Sequence, residues 1–215
     1  MKRIIVVGAG GHAQVVADIV LSRAAYGDQL ALMGFVDDNV ALVGGELLGA
    51  PIFGSIAMLR TIQHDAIVVA IGDNQRRAQV YEQLRAQGEN IATLAHPRAT
   101  LAAGAKLGAG SVVMAGAVIN TQAVIGPNVI INTGATVDHH ARISAHVHIA
   151  PGVHLGGAVT LGEGAFLGVG TNVIPSRSIG AWSVVGAGAT VTHDLPERVV
   201  AVGTPAKIIR NISMD

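Results

Sequence analysis

Five of the chain's nine histidines fall within residues 135–157, in ATVDHHARISAHVHIAPGVHLGG, at positions 139, 140, 146, 148 and 154. Imidazole has an ordinary pKa of about 6.5, so it can accept and return a proton near neutral pH. Such a cluster can supply a catalytic base, hold a metal ion, or face solvent at turns. Zinc requires three or four ligands converging at about 2.0–2.1 Å. There is no cysteine in the 215 residues, which removes thiolate sites and disulfides and leaves the histidines to be sorted by the faces they occupy.

Those faces are set by a repeat. From residue 99 to residue 194 the chain divides into sixteen hexapeptides without an insertion, from ATLAAG and AKLGAG to SVVGAG and ATVTHD. Every block has Leu, Ile or Val at its third place, from Leu101 to Val191. The first place is mostly Ala, Ser, Val or Thr, with Arg177 the main exception. A helix would repeat at three and four residues, and hairpins would alternate between turns of varied length. A strict six fits a β-solenoid in which each block makes a short strand and a turn, and three blocks close a triangular coil of about 18 residues. The third-place aliphatics then point inward on every face, and Gly, Asn or Asp near the block end permits the turn. Sixteen blocks make just over five coils, a prism roughly 25 Å tall at the inter-strand spacing.

This geometry sorts the histidines. His140 and His146, like His148 and His154, are six apart, so each pair lies on successive faces and points in different directions, which argues against a shared three-histidine zinc site. His139 is the fifth residue of its block, near a corner. Gly157 follows one coil later and Pro175 one coil after that. A glycine stacked beside the histidine removes side-chain bulk and presents a backbone N–H.

The first 95 residues read differently. RIIVVG is a buried strand, and GAGGHA opens a helix from about 11 to 24. Gly8, Gly10, Gly11 and His12 thus sit in the strand–turn–helix context of a phosphate-binding turn. LALMGFVDD is a second strand ending in Asp37 and Asp38, placed to hold a ribose hydroxyl. AIVVAIGDN is a third, ending in Gly72, Asp73 and Asn74 before the helix NQRRAQVYEQLRAQG. Three polar tips at strand carboxyl ends point to a ligand cleft, and the short length suits half of a dinucleotide fold, hence a mononucleotide-containing ligand rather than NAD. IATLAHPRAT leads into the first coil.

Composition narrows the partners. Half of the residues are hydrophobic but only 3% aromatic, so the core is aliphatic. Fourteen basic residues balance fourteen acidic ones, with no basic run for nucleic acid. In KRIIVVGAGGHAQVVADIV the glycines interrupt the apolar run after four residues, and no run of about 18 follows, so we expect a soluble, cytoplasmic chain with no membrane insertion.

The sixfold pattern resembles the hexapeptide-repeat, left-handed parallel β-helix of acyltransferases, and the handedness comes with that resemblance. GAGGH, GFVDD, IGDN, the coils and VGTPAK at 202–207 together resemble one family of this class over nearly the whole chain. These are sugar acetyltransferases of bacterial surface polysaccharides and glycans, including N-acetyltransferases of bacillosamine and perosamine precursors and sialic acid O-acetyltransferase relatives. The resemblance implies a half-Rossmann α/β nucleotide-sugar-binding domain at 1–95 and a left-handed β-helix acyltransferase domain with a C-terminal tail at 96–215. It implies a homotrimer that uses acetyl-CoA as co-substrate, bound in the groove between neighbouring prisms, and no metal.

The implied reaction is direct transfer to the 4-amino group of a nucleotide-linked sugar, UDP-linked ahead of GDP-linked. The alternatives are O-acetylation of a sialic-acid-type sugar and, behind it, a zinc hydratase. The resemblance carries the base onto His139 in TVDHH. The family often places an acid directly after that histidine, where this chain has His140, and Asp138 is the other candidate partner. His148 matches a second family histidine that lines the acetyl site, and Gly157 and Pro175, in the column of His139, are the other candidate acetyl-CoA contacts. Asn132 in INTGA matches an asparagine near the acceptor sugar, against a plain reading as a ladder asparagine inside the coil. His146, at a block end, and His154 have weaker claims and read as solvent-facing.

Overall fold

The computed structural model describes residues 1–213. The chain divides into two compact units, Met1–Pro97 and the remainder from Arg98.

In the first unit, the apolar run KRIIVV forms β1 (Lys2–Val7) at the centre of a parallel sheet, between β2 (Leu30–Val36) and β5 (Ala66–Val69). A small antiparallel pair, β3 (Glu46–Leu47) with β4 (Ala50–Pro51), follows β2. Ile4, Ile5, Val6 and Val7 alternate between the two faces of the sheet and are all fully buried, so both faces of the central strand are covered. α1 (Gly11–Ala25) follows β1, and α2 (Asn74–Ala86) follows β5. The third strand stops at Val69, five residues short of its expected end at Asn74. Ala70–Asp73 form a turn, and the Asp73 carboxylate caps α2 by accepting the Arg76 N–H at 2.8 Å. The expected last strand, 91–100, is reduced to a single parallel bridge between Ile67 and Ile91 and the two-residue strand Leu94–Ala95.

The second unit is the expected solenoid. Two-residue strands recur every six residues from Thr100–Leu101 to Thr190–Val191, each as far as Asn172–Val173 pairing in parallel with the strand 18 residues on, as in Val118↔Thr136 and Thr136↔His154. The second and third places of each block form the strand, and fourth to sixth places form the corner. From Val113 to Val191 the third-place aliphatics are at most 4% exposed. At roughly 1.5–3 kcal/mol each, their burial is what favours stacking. Leu101 departs from the inward rule, at 39% exposed, because it belongs to the first coil and no solenoid coil lies beneath it.

Three first places hold buried hydroxyls whose bonds are satisfied internally. Ser111 Oγ donates to the Gly126 carbonyl at 2.8 Å and accepts the Val129 N–H at 3.0 Å, and Ser183 bridges Pro196 and Val199 in the same way. Thr171 Oγ1 donates to the Gly168 carbonyl at 2.7 Å. Arg177 is too large for this place and lies 3.7 Å from Asp194. The sixth place adopts left-handed backbone even where it is not glycine, for example at Gln122, His140, His146 and Ala158 (φ +57 to +61°).

The repeat shortens at its end. Val200 pairs with Val184, and Leu195 bridges Ile179, a step of 16 residues instead of 18. Val199–Val202 then pairs antiparallel with Lys207–Asn211 after a turn containing the cis peptide Thr204–Pro205.

Candidate active site

In the first unit the strand tips line a cavity of ≈ 350 Å³ bounded by Gly8, Gly10, Gly11, His12, Asp37 and Gly72, among others. Gly8 has φ +111°, and a Cβ there would lie 2.8 Å from the Ala70 carbonyl oxygen, so only glycine lets the first and third tips approach this closely. A second cavity of ≈ 170 Å³ shares Gly8 and Asp37 and adds Asp38, Ile56, Ile71 and Arg76. A third, of ≈ 250 Å³, runs from Asp38 and Arg76 to Arg60 and Gln87.

The acidic tips already have partners within the chain. Asp37 accepts the Ala9 N–H at 2.7 Å and the Asn39 N–H at 2.8 Å, so it shapes the glycine turn. Asp38 accepts the Ile56 N–H at 3.0 Å and pairs with the Arg76 guanidinium at 2.8 Å. Asp73 serves α2 as its cap, and Asn74 is buried with its Oδ1 accepting Arg77 Nη1 at 2.8 Å.

Arg77 is itself fully buried, with Nη1 donating also to the Ile71 and Gly72 carbonyls at 3.2 and 3.3 Å. Burial draws its pKa down to about 10, against the opposing pull of Asp73. His12 is lowered to about 4, by burial first and by the Arg77 charge second, and is neutral at pH 7. Arg60, Arg76 and Arg77 belong to no motif of the sequence, and the one signal for them is the NQRR run directly after the third tip, which places two arginines in the first turn of α2.

In the solenoid, His139 and Gly157 meet as the 18-residue spacing requires. An ideal Cβ on Gly157 would lie 2.5 Å from His139 Cε1 and 2.7 Å from Nε2, so that edge of the ring rests against the bare backbone. The Gly157 carbonyl accepts the Ser176 N–H at 2.9 Å, while its own N–H has no acceptor among the described residues. Pro175 follows in register and packs on Gly156.

The ring's other nitrogen, Nδ1, is 3.0 Å from Nδ1 of His140, with the two rings edge to face at 5.2 Å. Asp138 is engaged elsewhere. Its Oδ1 accepts the His139 backbone N–H and the Asn120 Nδ2, each at 2.7 Å, and these bonds hold its carboxyl below the usual range. Asp138 therefore fixes the main chain at His139, and His140 meets the ring. Alternation along a strand does not govern this pair, because both histidines lie in a corner and His140 has φ +60°.

Asn132 and His148 come together, but at the preceding corner, one face away from His139. His148 is buried edge-on to Phe166 at 5.2 Å, and Asn132 Nδ2 lies 3.4 Å from its Nε2. His146 is buried, not solvent-facing, with Nδ1 2.8 Å from Asn128 Nδ2 one coil below, because the corner column stacks the two side chains. His154 is exposed and bonds Thr136 at 2.9 Å. No three His, Asp or Glu side chains are grouped to hold a metal ion among the described residues. No helix among them is long and apolar enough to cross a membrane.

A strand-tip ligand cleft joined in sequence to a hexapeptide β-solenoid defines a class of acyltransferases, and comparison with known proteins makes it specific. Residues 3–84 match the PglD N-terminal domain. The acetyltransferase domain of PglB from Neisseria gonorrhoeae FA1090, also solved with acetyl coenzyme A, is similar at 37% identity and TM-score 0.89, over 97% of this chain and 100% of that one. A histidine-to-asparagine mutant of perosamine N-acetyltransferase from Caulobacter crescentus, solved with CoA and GDP-perosamine, is similar at 41% identity and TM-score 0.87 over 97% of both chains. Among curated sequences, a Schizosaccharomyces pombe protein bearing an acetyltransferase name is 54% identical over 44 residues. That match spans about a fifth of either protein (20% of this chain, 21% of the other). The chain belongs to the sugar acetyltransferase family, and its solenoid is the left-handed parallel β-helix.

Proposed function

We propose that this protein is an acetyl-CoA-dependent N-acetyltransferase acting on the 4-amino group of a nucleotide-linked sugar, as a homotrimer, in bacterial glycan or surface-polysaccharide synthesis. The observation that carries the reading is the Cε1–Nε2 edge of His139 resting on Gly157. The imidazole lies against a residue whose backbone N–H has no acceptor among the described residues, and a base and an N–H donor are the two groups that aminolysis of a thioester needs. The relatives solved with acetyl-CoA, and with CoA and GDP-perosamine, support both substrates.

In this mechanism the neutral sugar amine attacks the thioester carbonyl carbon, forming the C–N bond and moving the carbonyl electrons onto oxygen. The Gly157 N–H donates to that oxyanion. His139 Nε2 takes the proton from nitrogen, and collapse breaks the C–S bond and releases the CoA thiolate, which that proton neutralises. Direct transfer suits a chain without cysteine. Asp138 and His140 position the base. Pro175 continues the acetyl-CoA corner of His139 and Gly157. Asn132 and His148, a face away in one chain, contribute from a neighbouring prism of the trimer. The first unit's cleft, with Gly8, Gly10, Gly11, His12, Asp37, Asp38 and Gly72, receives the nucleotide, and Asp73, Asn74 and Arg77 support its third tip.

The test is thiol release from acetyl-CoA with UDP-4-amino, GDP-4-amino and sialic-acid-type acceptors. The sequence reading places UDP first, and the C. crescentus relative was solved with a GDP-linked sugar. An amino-sugar acceptor should be used, and His139→Ala should lower its turnover about 100-fold or more without loss of the assembly. Turnover of the sialic-acid-type acceptor alone refutes the N-acetyl assignment, and full activity of His139→Ala refutes the base.

A further inference from the structure

We infer that His140 acts as a neutral acceptor that fixes the tautomer of His139, taking the place of a carboxylate partner. The inference rests on the proposed role of His139 as base and deepens it. Two nitrogens 3.0 Å apart can share only one hydrogen, so exactly one of the Nδ1 atoms carries it. If His140 donates, His139 is protonated at Nε2 and the edge over Gly157 has no lone pair. If His139 donates, Nε2 is the free acceptor, on the ring edge that rests against Gly157.

Proton uptake reinforces the second arrangement. Once Nε2 is protonated, the bond from His139 Nδ1–H to neutral His140 becomes charge-assisted and stronger. The 3.0 Å separation leaves room for one hydrogen between the two Nδ1 atoms, so a His139 that has taken a proton at Nε2 keeps His140 as its acceptor. Little else titrates at this corner. Asn120, Thr121 and Gln122 lie one coil below, and Gly156, Gly157 and Ala158 one coil above. Asp138 faces the His139 main chain. Among the described residues His140 is the ionisable side chain that bonds the ring, Asp138 acting on it through charge, and His140 is a positioning residue, since it acts through His139.

The fold tolerates the necessary variants. Ala158 occupies the same corner place one coil above with φ +57°, so His140→Ala need not disturb the turn, and His140→Asn retains an acceptor on a residue suited to left-handed backbone. With acetyl-CoA and the amino-sugar acceptor, His140→Ala should lower kcat about 10- to 100-fold while leaving the acetyl-CoA KM within about threefold and the melting temperature unchanged. His140→Asn should recover part of the loss. His140→Glu should restore turnover and move the acidic limb of kcat/KM about one pH unit upward, because a carboxylate stabilises the imidazolium where a neutral ring does not.

Wild-type kcat and pH profile in His140→Ala, or an unmoved limb in His140→Glu, would overturn the inference. His139→Ala separates the two readings. If it retains activity, the base assignment fails. If it is inactive while every His140 variant behaves as wild type, only the pairing fails.

Discussion

Gly157→Ala isolates the chemistry of the corner from its folding. The added Cβ would lie 2.5 Å from His139 Cε1, whereas ordinary contact begins at 3.4 Å, so the ring must retreat by about 1 Å. Gly157 is not in the left-handed region, and the clash is with an exposed side chain, so the backbone can stay in place. Stability should therefore change by less than about 1 kcal/mol, since ring displacement opposes the entropy gained by replacing glycine in the unfolded chain. Displacing a base by about 1 Å costs on the order of 100-fold in rate.

Gly126→Ala provides the contrast. Its Cβ would meet the Ser144 carbonyl carbon at 2.8 Å and the Ala145 nitrogen at 2.9 Å, main-chain atoms that cannot yield, and should cost about 1–3 kcal/mol. Urea denaturation paired with the thiol-release assay reads both effects. A Gly157→Ala protein with wild-type kcat would show that the ring's position over that backbone is irrelevant to turnover.

Other tests concern parts of the fold that support the two sites. His12 is depressed from 6.5 to about 4, so between those values the unfolded chain binds a proton that the folded chain refuses. Its contribution is complete above pH 6.5 and disappears as pH falls toward 4, a loss of about 3 kcal/mol. Urea midpoints of wild type should therefore fall further over that range than those of His12→Gln, and parallel curves would contradict the assignment. Ser111→Ala should cost about 2 kcal/mol by leaving the Gly126 carbonyl and Val129 N–H without their buried hydroxyl, and an unchanged midpoint would mean that those groups find other partners. Arg77→Met should loosen the third strand tip and raise the acceptor KM several-fold without altering that of acetyl-CoA. Equal effects on both would make Arg77 a residue of general stability.

The solenoid was readable because its period is a covalent fact. Six residues per face and 18 per coil are enough to place His139 against Gly157, and the third-place aliphatics from Val113 to Val191 are buried as the pattern demands. The corners were less legible. Alternation describes strands, but fourth- to sixth-place residues turn through left-handed backbone, and that geometry directs His140 onto the ring and Asp138 onto the main chain. The burial of His146 is hidden from the sequence for a related reason, since it depends on Asn128 a full coil away. In the first unit the tips were legible from glycine and aspartate, but the bonds taken by Asp37 and Asp38 depend on Ala9, Asn39, Ile56 and Arg76, whose approach no spacing encodes.

The constancy of the coil also restricts how such a chain can change length. An insertion of one whole turn between Gly157 and the shortened final lap would add height and leave every edge aligned. Adding a single hexapeptide between His139 and Gly157 would rotate everything downstream by a third of a revolution, carrying the glycine to another edge of the prism. Growth by complete laps is compatible with chemistry at that edge, and growth by fractions of a lap is not.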